Sequence, residues 1–313
     1  MAVLRKEFLL PSKTGLADVF ARCWYPSDEK PKAIIQIAHG MAEHGERYED
    51  FANFLCGKGF AVIVNDHIGH GKSVKSDDDL GYFGENMGWD AFVEDERAFT
   101  ELIIAEFPDT PLVFFGHSMG SFIAREYIRR YGTDKRIKAA IFCGTSGKNP
   151  ASGIAIPLAG TIAKIKGSRH KSNFINGVAF GTYNNKIPDA ETAFDWLSSD
   201  KKEVKKYIDD KYCGFLFTAA GYKDLFTVLH TVSAKDWYSD VTNDIPILLI
   251  AGEEDPVGAY GKGVKQVYNN LKNAGKKDVT VKLYKGMRHE ILNEVDRKTV
   301  YEDVAAWADS KIR

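Results

Sequence analysis

The chain has 313 residues, of which 44% are hydrophobic and 27% are charged, and its net charge is −1. This is the composition of a folded globular protein, and its length is enough for one large domain with a substantial core. The nearly balanced charge argues against a general nucleic-acid binder, so we expect no nucleic-acid partner.

Apolar runs of strand length alternate with helical patterns along most of the chain. Strands are predicted near residues 4–10, 17–25, 32–38, 61–65, 111–115, 139–143, 246–251 and 279–284. Helices are predicted at 48–57, 88–107 and 118–131, and after each of the last two strands. Several of the strands are continuously apolar, as expected for strands covered on both faces. The alternation predicts an α/β fold, with a mostly parallel central sheet and helices on both of its faces.

The alternation stops between residues 147 and 235, which contain glycine-rich turns, short amphipathic pieces and a helical pattern at 201–212. In a doubly wound fold, an insertion at this place lies above the C-terminal edge of the strands. We therefore expect a core made of residues 1–146 and 236–313. Residues 147–235, named the cap segment below, are expected to form a largely helical cap over the functional site.

A Gly-x-Ser-x-Gly segment, Gly116 to Gly120, lies between the strand predicted at 111–115 and the helix that follows. Two glycines at this spacing allow a strand to turn sharply into a helix, which exposes the serine oxygen at the edge of the sheet. The pentapeptide alone is a weak signal. Its position between a buried strand and a helix makes it typical of a nucleophile elbow, with Ser118 as the nucleophile.

A serine nucleophile needs a base to take its proton and an acid to orient that base. His289 follows the last predicted strand and is the only histidine after residue 230. Asp255 follows the strand at 246–251 and is the expected acid, with Glu254 and Glu253 as alternatives. Alone, Asp255 is equally well explained as a helix cap, and His289 is better explained as a surface residue of a loop. The order serine, acid, histidine favours a catalytic triad.

An acyl-transfer site also needs hydrogen-bond donors for the oxyanion that forms during the reaction. The backbone N–H of Met119, directly after the serine, is one expected donor. The backbone N–H of Met41 is the other, because Gly40 permits the loop conformation that turns this group inward. The alternative is that Gly40 only ends a strand.

Two histidines and an aspartate are close together in the segment Asp66-His67-Ile68-Gly69-His70-Gly71-Lys72-Ser73. The two glycines and the position after a strand favour a tight structural loop, and no third ligand with metal spacing is evident. The segment also lacks the third glycine of a dinucleotide-binding loop. We expect neither a metal nor a cofactor.

Three of these segments resemble the motifs of monoacylglycerol lipases and bacterial lysophospholipases of the α/β-hydrolase superfamily. They are His-Gly-Met-Ala-Glu-His-Gly-Glu-Arg-Tyr at 39–48, the loop at 66–73 and the elbow at 116–120. The resemblance continues through 252–255 and 288–289, so it covers the whole predicted core. It implies a cofactor-free serine hydrolase with the α/β-hydrolase fold, a mobile cap and a preference for single-chain acyl esters.

Two other functions stay open at this point. A peptidase that removes N-terminal proline shares this core and elbow, and it would use acids of the cap segment, such as Glu191, Asp195 and Glu203, to bind the substrate's amino group. A non-catalytic ligand-binding relative is the second alternative, and the intact order of the triad residues argues against it.

Residues 147–188 contain no Asp or Glu but carry six basic residues: Lys148, Lys164, Lys166, Arg169, Lys171 and Lys186. An apolar stretch at 154–163 lies among them. Apolar and basic side chains together are what a surface needs for reversible contact with an anionic lipid layer. The alternative is that the apolar stretch only lines the acyl pocket.

The four cysteines, Cys23, Cys56, Cys143 and Cys213, are widely spaced, which is typical of free thiols in a reducing compartment. The first ten residues carry charges within a short apolar stretch, unlike a signal peptide. No apolar run reaches the length of a membrane-spanning helix. We expect a cytoplasmic protein that makes peripheral contact with membranes.

Overall fold

The computed structural model describes residues 2–85, 88–148, 152–188, 190–242 and 245–312. Eight strands form one sheet in the order β1-β2-β4-β3-β5-β6-β7-β8. The strands are β1 Val3–Pro11, β2 Asp18–Pro26, β3 Ala33–Ala38, β4 Phe60–Asn65, β5 Leu112–His117, β6 Ile137–Cys143, β7 Ile247–Gly252 and β8 Val279–Tyr284. The pairs β1–β2 and β2–β4 are antiparallel, and every other pair is parallel. The predicted mostly parallel sheet is confirmed.

Ten α-helices accompany the sheet within the described ranges. They are α1 Glu49–Gly57, α2 Gly88–Glu106, α3 Met119–Tyr131, α4 Ser152–Lys166, α5 Asn173–Phe180, α6 Lys201–Asp209, α7 Ala219–Val232, α8 Lys235–Asp240, α9 Lys262–Asn273 and α10 Arg297–Lys311. Side chains of α1 and α10 pack on one face of the sheet. Side chains of α2, α3 and α9 pack on the other face.

Both faces of the sheet are covered, which explains the continuously apolar strands. Alternate side chains of a strand point to opposite faces. In β3, Ile34 packs with the α2 and α3 face, whereas Ile35 and Ile37 pack with the α1 and α10 face. Strands β3, β4, β5 and β7 are accordingly buried at every position.

The cap segment supplies α4 to α7 and part of α8, and none of its described residues joins the sheet. Helix α4 packs on α7, and α7 packs in turn on α2 and α3 of the core. Its side chains Tyr222, Leu225 and Val228 belong to the same apolar cluster as Phe92 of α2. Helix α7 therefore anchors the cap segment to the core, and the boundaries of a separate cap stay a prediction.

The helix predicted at 201–212 ends three residues early, at Asp209. Asp210 has an extended backbone, and its side chain accepts a hydrogen bond from the backbone N–H of Tyr212, 2.8 Å away. A short polar side chain that bonds to a nearby backbone group competes with the helix in this way.

The four cysteines are buried free thiols. In the part of the chain that the structure describes, no helix has the length and hydropathy of a membrane-spanning segment.

The loop after β4 is held by a buried ion pair. Asp66 accepts a hydrogen bond from Arg22 of β2 at 2.7 Å, and both side chains are fully buried. The same carboxylate accepts hydrogen bonds from the backbone N–H groups of Gly45 and Lys72, each 2.8 Å away. A cation at Asp66 would have to displace these donors. Asp66 thus connects β2, the loop after β3 and the loop after β4.

Candidate active site

Ser118 stands between β5 and α3 in a backbone conformation that serine rarely adopts. Its φ is 53° and its ψ is −120°, a conformation that costs about 1–3 kcal/mol and persists because the surrounding packing imposes it. A Cβ atom on Gly120 would collide with the carbonyl of Ala38 in β3, and one on Gly116 would collide with the carbonyl of Gly120. Only glycine lets β3, β5 and α3 approach so closely, and this approach fixes the turn at Ser118.

His289 and Asp255 form a buried pair beyond the ends of β8 and β7. His289 Nδ1 lies 2.9 Å from Asp255 Oδ1, and both side chains are almost fully buried. Asp255 Oδ1 also accepts a hydrogen bond from the backbone N–H of Val257 at 2.8 Å. A Cβ atom on Gly252 would collide with the carbonyl of Met287, so this glycine lets the two loops approach each other.

The two alternative acids point elsewhere. The side chains of Glu253 and Glu254 are exposed, whereas Asp255 is buried. The backbone N–H of Glu254 donates to the carbonyl of Met287 at 3.0 Å, which fixes the loop without bringing the Glu254 carboxylate to the histidine. Of the three acids, Asp255 is the one that the structure pairs with His289.

A cavity of about 810 Å³ opens at the serine and the histidine. Ser118, His289, Met41 and Met119 all line it, so the structure brings the predicted site residues together. Much of the remaining wall is apolar and comes from the cap segment, including Ile154, Leu158, Ile175, Phe180, Leu225 and Phe226. Part of the apolar stretch at 154–163 thus lines the cavity. This agrees with the alternative that the stretch forms a pocket wall.

The two methionines of the predicted oxyanion site come from different elements. Met119 is the first residue of α3, where a backbone N–H has no acceptor within the helix. Met41 lies in the loop after β3, next to Gly40. The backbone N–H of Gly40 donates to Glu43 Oε1 at 2.6 Å, and His39 Nδ1 lies 2.8 Å from the Gly40 carbonyl oxygen. These bonds fix the loop that carries Met41.

The cap segment is tied to this same loop. The carbonyl oxygen of Ala42 accepts a hydrogen bond from the backbone N–H of Gly214 and another from the hydroxyl of Tyr207, both at 2.9 Å. Gly214 and Tyr207 also line the cavity. A shift of residues 207–214 would therefore move the carbonyl of Ala42 and, with it, the loop that carries Met41.

A buried charged network, which the sequence did not reveal, lies behind the site. Arg47 donates to Glu43 at 2.5 Å and makes two hydrogen bonds to Glu290, at 2.6 and 2.7 Å. His117 Nδ1 lies 3.3 Å from Glu43 Oε1, and His117 Nε2 lies 3.4 Å from the carbonyl oxygen of His289. The network joins the loop after β3, the residue before Ser118 and the loop of His289.

Opposite charges keep this network ionised despite its burial. Burial would raise the pKa of Glu43, but Arg47 and His117 outweigh it and hold that pKa well below its usual range. Burial would likewise raise the pKa of Glu290, and Arg47 lowers it instead. Burial lowers the pKa of His117, but the hydrogen bond to Glu43 raises it overall. The signal for this network was the spacing of Glu43 and Arg47 in the 39–48 motif.

The three acids proposed for a peptidase have other partners. Glu191 and Glu203 pair with Lys201 and Lys206 at 2.6 and 2.9 Å. Asp195 accepts hydrogen bonds from the backbone N–H groups of residues 191 and 192. None of the three lines the cavity. They fix local structure and do not form an amine-binding site there.

Comparisons with known proteins agree on one family. The family described as "Serine aminopeptidase, S33" matches residues 29–296. The monoglyceride lipase of Mus musculus is 28% identical over 300 residues, which are 94% of this chain and 88% of that protein. The monoacylglycerol lipase of Mycolicibacterium smegmatis is 29% identical over 292 residues, or 92% of each chain. A solved thermostable carboxyl esterase from Bacillus coagulans has a TM-score of 0.92 and 31% identity, covering 99% of both chains.

These matches confirm the resemblance that the motifs at 39–48, 66–73 and 116–120 predicted. They also agree with the observed sheet and with the serine turn at its edge. The chain therefore belongs to the Serine aminopeptidase, S33 family and is a serine hydrolase with the α/β-hydrolase fold.

Proposed function

We propose that this protein hydrolyses carboxylic esters with a single acyl chain, of the monoacylglycerol or lysophospholipid type. One observation carries the proposal: Ser118 and His289 line one large, mostly apolar cavity, and Asp255 bonds to His289. The relatives named monoglyceride lipase and monoacylglycerol lipase support the same substrate class.

In the proposed reaction, Ser118 Oγ attacks the ester carbonyl carbon while His289 accepts the hydroxyl proton. Asp255 holds the Nδ1–H side of the imidazole and stabilises the imidazolium that forms. The N–H groups of Met41 and Met119 donate to the oxyanion, and one such donor is typically worth about 3–4 kcal/mol of transition-state stabilisation. His289 then protonates the departing alcohol, leaving an acyl group on Ser118. Water activated by His289 releases the acid.

The apolar wall formed by α4, α5 and α7 supports an acyl chain as the recognised group. Its side chains include Leu158, Phe180 and Leu225. Each methylene buried there is worth about 0.8 kcal/mol of binding free energy. A volume of about 810 Å³ is within the usual range for a small-ligand pocket and accommodates one chain.

The charges at the cavity favour an ester over a peptide with a free amino terminus. The acids among the described lining residues are Glu43 and Glu290. Both already bond to Arg47, so neither offers a free carboxylate to a substrate ammonium group. The intact serine, histidine and aspartate arrangement likewise supports an enzyme over a non-catalytic binding protein.

A substrate panel tests this function. It contains nitrophenyl esters of increasing acyl length, a monoacylglycerol, a lysophospholipid and a proline arylamide. We expect kcat/KM to rise with chain length, by up to about fourfold per added methylene until the cavity is filled. The proline arylamide should be the poorest substrate. A preference for the arylamide would indicate an aminopeptidase, and no turnover of any member would indicate a non-catalytic protein.

Exchange of the acid tests the assignment of Asp255. We expect Asp255→Asn to lower kcat by about ten-thousand-fold, because the amide no longer fixes the productive imidazole tautomer. Glu254→Gln is the matched control and should stay within twofold of the unchanged protein, since its side chain is exposed. Steady-state hydrolysis of a short nitrophenyl ester measures both. A larger loss in Glu254→Gln would overturn the assignment.

We also propose that α4 and α5 make transient contact with an anionic lipid surface. Ile165 and Phe174 are 76% and 62% exposed, and Lys164 and Lys166 are exposed beside them. Ile154, 73% exposed, belongs to both this surface and the cavity wall. Because Ile154 also lines the cavity, a substrate would pass from the lipid layer to the site at this end of α4.

Arg169, predicted to belong to this surface, has a different role. Its guanidinium bonds to Asp79 at 2.7 Å and lies 4.0 Å from the centre of the Tyr82 ring. Asp79 and Tyr82 belong to the loop before α2. Arg169 thus holds the cap segment on the core, and a test of lipid contact should leave it unchanged.

The lipid contact is tested with a double charge reversal, Lys164→Glu with Lys166→Glu. At about 1 kcal/mol per lysine, the loss of two lysines should weaken binding to phosphatidylglycerol vesicles at low salt by at least about thirtyfold. Hydrolysis of a soluble short-chain ester should not change. The control, Lys262→Glu with Lys265→Glu on α9, makes the same charge change at exposed positions elsewhere. An equal loss of vesicle binding and of soluble-ester hydrolysis would refute the contact. So would an absence of vesicle binding by the unchanged protein.

A further inference from the structure

Among the residues that the structure describes, His44, Asp210 and Cys213 form a cluster of metal-ligating side chains outside the catalytic residues. One ligand atom from each, a ring nitrogen, a carboxylate oxygen and the thiol sulfur, lies within 4.8 Å of the others. His44 Nε2 and Asp210 Oδ2 are 2.8 Å apart. The cluster joins the loop after β3 to the turn that follows α6.

Hydrogen bonds hold these ligands in place. Asp210 Oδ1 accepts from the backbone N–H of Tyr212 at 2.8 Å, which leaves Oδ2 directed at His44. The backbone N–H of Cys213 donates to the carbonyl of Asp210 at 3.0 Å, so both residues belong to one turn. Supporting bonds of this kind orient metal ligands in known sites.

The burial and the charges around the cluster favour a divalent cation. His44 and Cys213 are buried, whereas about one third of the Asp210 side chain is exposed and leaves a path for entry. Cys213 interacts electrostatically with Asp210, Glu43 and Glu290, and with Arg47 as the one cation among them. Glu43 and Glu290 already bond to Arg47, so the charge that a dication would neutralise is that of Asp210 and of the thiolate that Cys213 forms on binding.

We propose that His44, Asp210 and Cys213 bind a thiophilic divalent cation of the Zn²⁺ type, with water as the fourth ligand. Zinc binds nitrogen, oxygen and sulfur ligands at about 2.0–2.3 Å in tetrahedral geometry, which sets the ligand atoms roughly 3.3–3.7 Å apart. His44 Nε2 and Asp210 Oδ2 must therefore separate from 2.8 Å, and any pair near the 4.8 Å limit must converge by about 1 Å. On binding, the Cys213 thiol releases its proton to solvent and its sulfur bonds to the metal. The proton that His44 Nε2 shares with Asp210 exchanges through solvent to Nδ1, which leaves Nε2 and the Asp210 oxygen each free to bond to the metal.

The position of the cluster suggests what the ion would do. Cys213 precedes Gly214, which bonds to the carbonyl of Ala42, and His44 follows Ala42 by two residues. The metal would therefore strengthen the existing connection between the cap segment and the loop that carries Met41. The ion would be a structural clip that stabilises the folded chain and takes no part in the ester chemistry.

Titration of the chelator-treated full-length chain with Zn²⁺ alone tests the proposal. We expect one ion per chain by equilibrium dialysis and a rise in Tm of about 5 °C at a hundredfold excess over Kd. Substitution of Co²⁺ should give the near-ultraviolet absorption band of a cobalt thiolate. Cys213→Ala should remove the bound ion, the Tm shift and the cobalt band. Cys56→Ala, at another buried thiol, should keep all three.

His44→Gln provides a second variant in case Cys213→Ala fails to fold, because glutamine can still bond to Asp210 without supplying an imidazole. It should bind Zn²⁺ at least about a hundredfold more weakly and lose most of the Tm shift. Binding with an unchanged Kd in either variant would overturn the proposal. So would a failure of the unchanged protein to bind Zn²⁺, or binding without the thiolate band.

Discussion

The close approach of β3, β5 and α3 at two glycines is the contact on which the site depends. Gly120 lies against the carbonyl of Ala38, and Gly116 lies against the carbonyl of Gly120. This packing forces Ser118 into its positive-φ conformation at the carboxyl edge of the sheet. Because β7 and β8 end at the same edge, the loops that carry Asp255 and His289 can reach the serine. A side chain at either glycine would separate these elements.

A second constraint is electrostatic and lies behind the site. Arg47 is shared by two buried carboxylates, Glu43 and Glu290, and Glu43 also accepts hydrogen bonds from Gly40 and Tyr48. Removing one member of a buried ion pair typically costs about 3–5 kcal/mol, because the other charge stays desolvated. The network therefore keeps the loop of Met41 and the loop of His289 in one arrangement. Such rigidity suits an oxyanion site, whose donors must be in place before charge develops.

Local patterns predicted the strands and the elbow, because each of these is encoded by neighbouring residues. The triad residues were predicted from their order along the chain and from the place of each after a predicted strand. The bond between Asp255 and His289 agrees with the predicted pairing, although their chemical roles stay a proposal. The network of Glu43 and the cluster at Cys213 depend on contacts between distant segments, which periodicity cannot reveal. The early end of α6 was missed for a related reason, since the turn at Asp210 is held by tertiary contacts as well as by local ones.

Ser118 is proposed as the reacting nucleophile, and covalent labelling tests this role directly. The protein is treated with a fluorophosphonate probe, and the modified peptide is identified by mass spectrometry. We expect one label per chain, on Ser118, and no labelling of Ser118→Ala. Ser146→Ala, which removes another serine of the cavity wall, should label as the unchanged protein does. A label on a different serine, or labelling that persists in Ser118→Ala, would show that Ser118 is not the nucleophile.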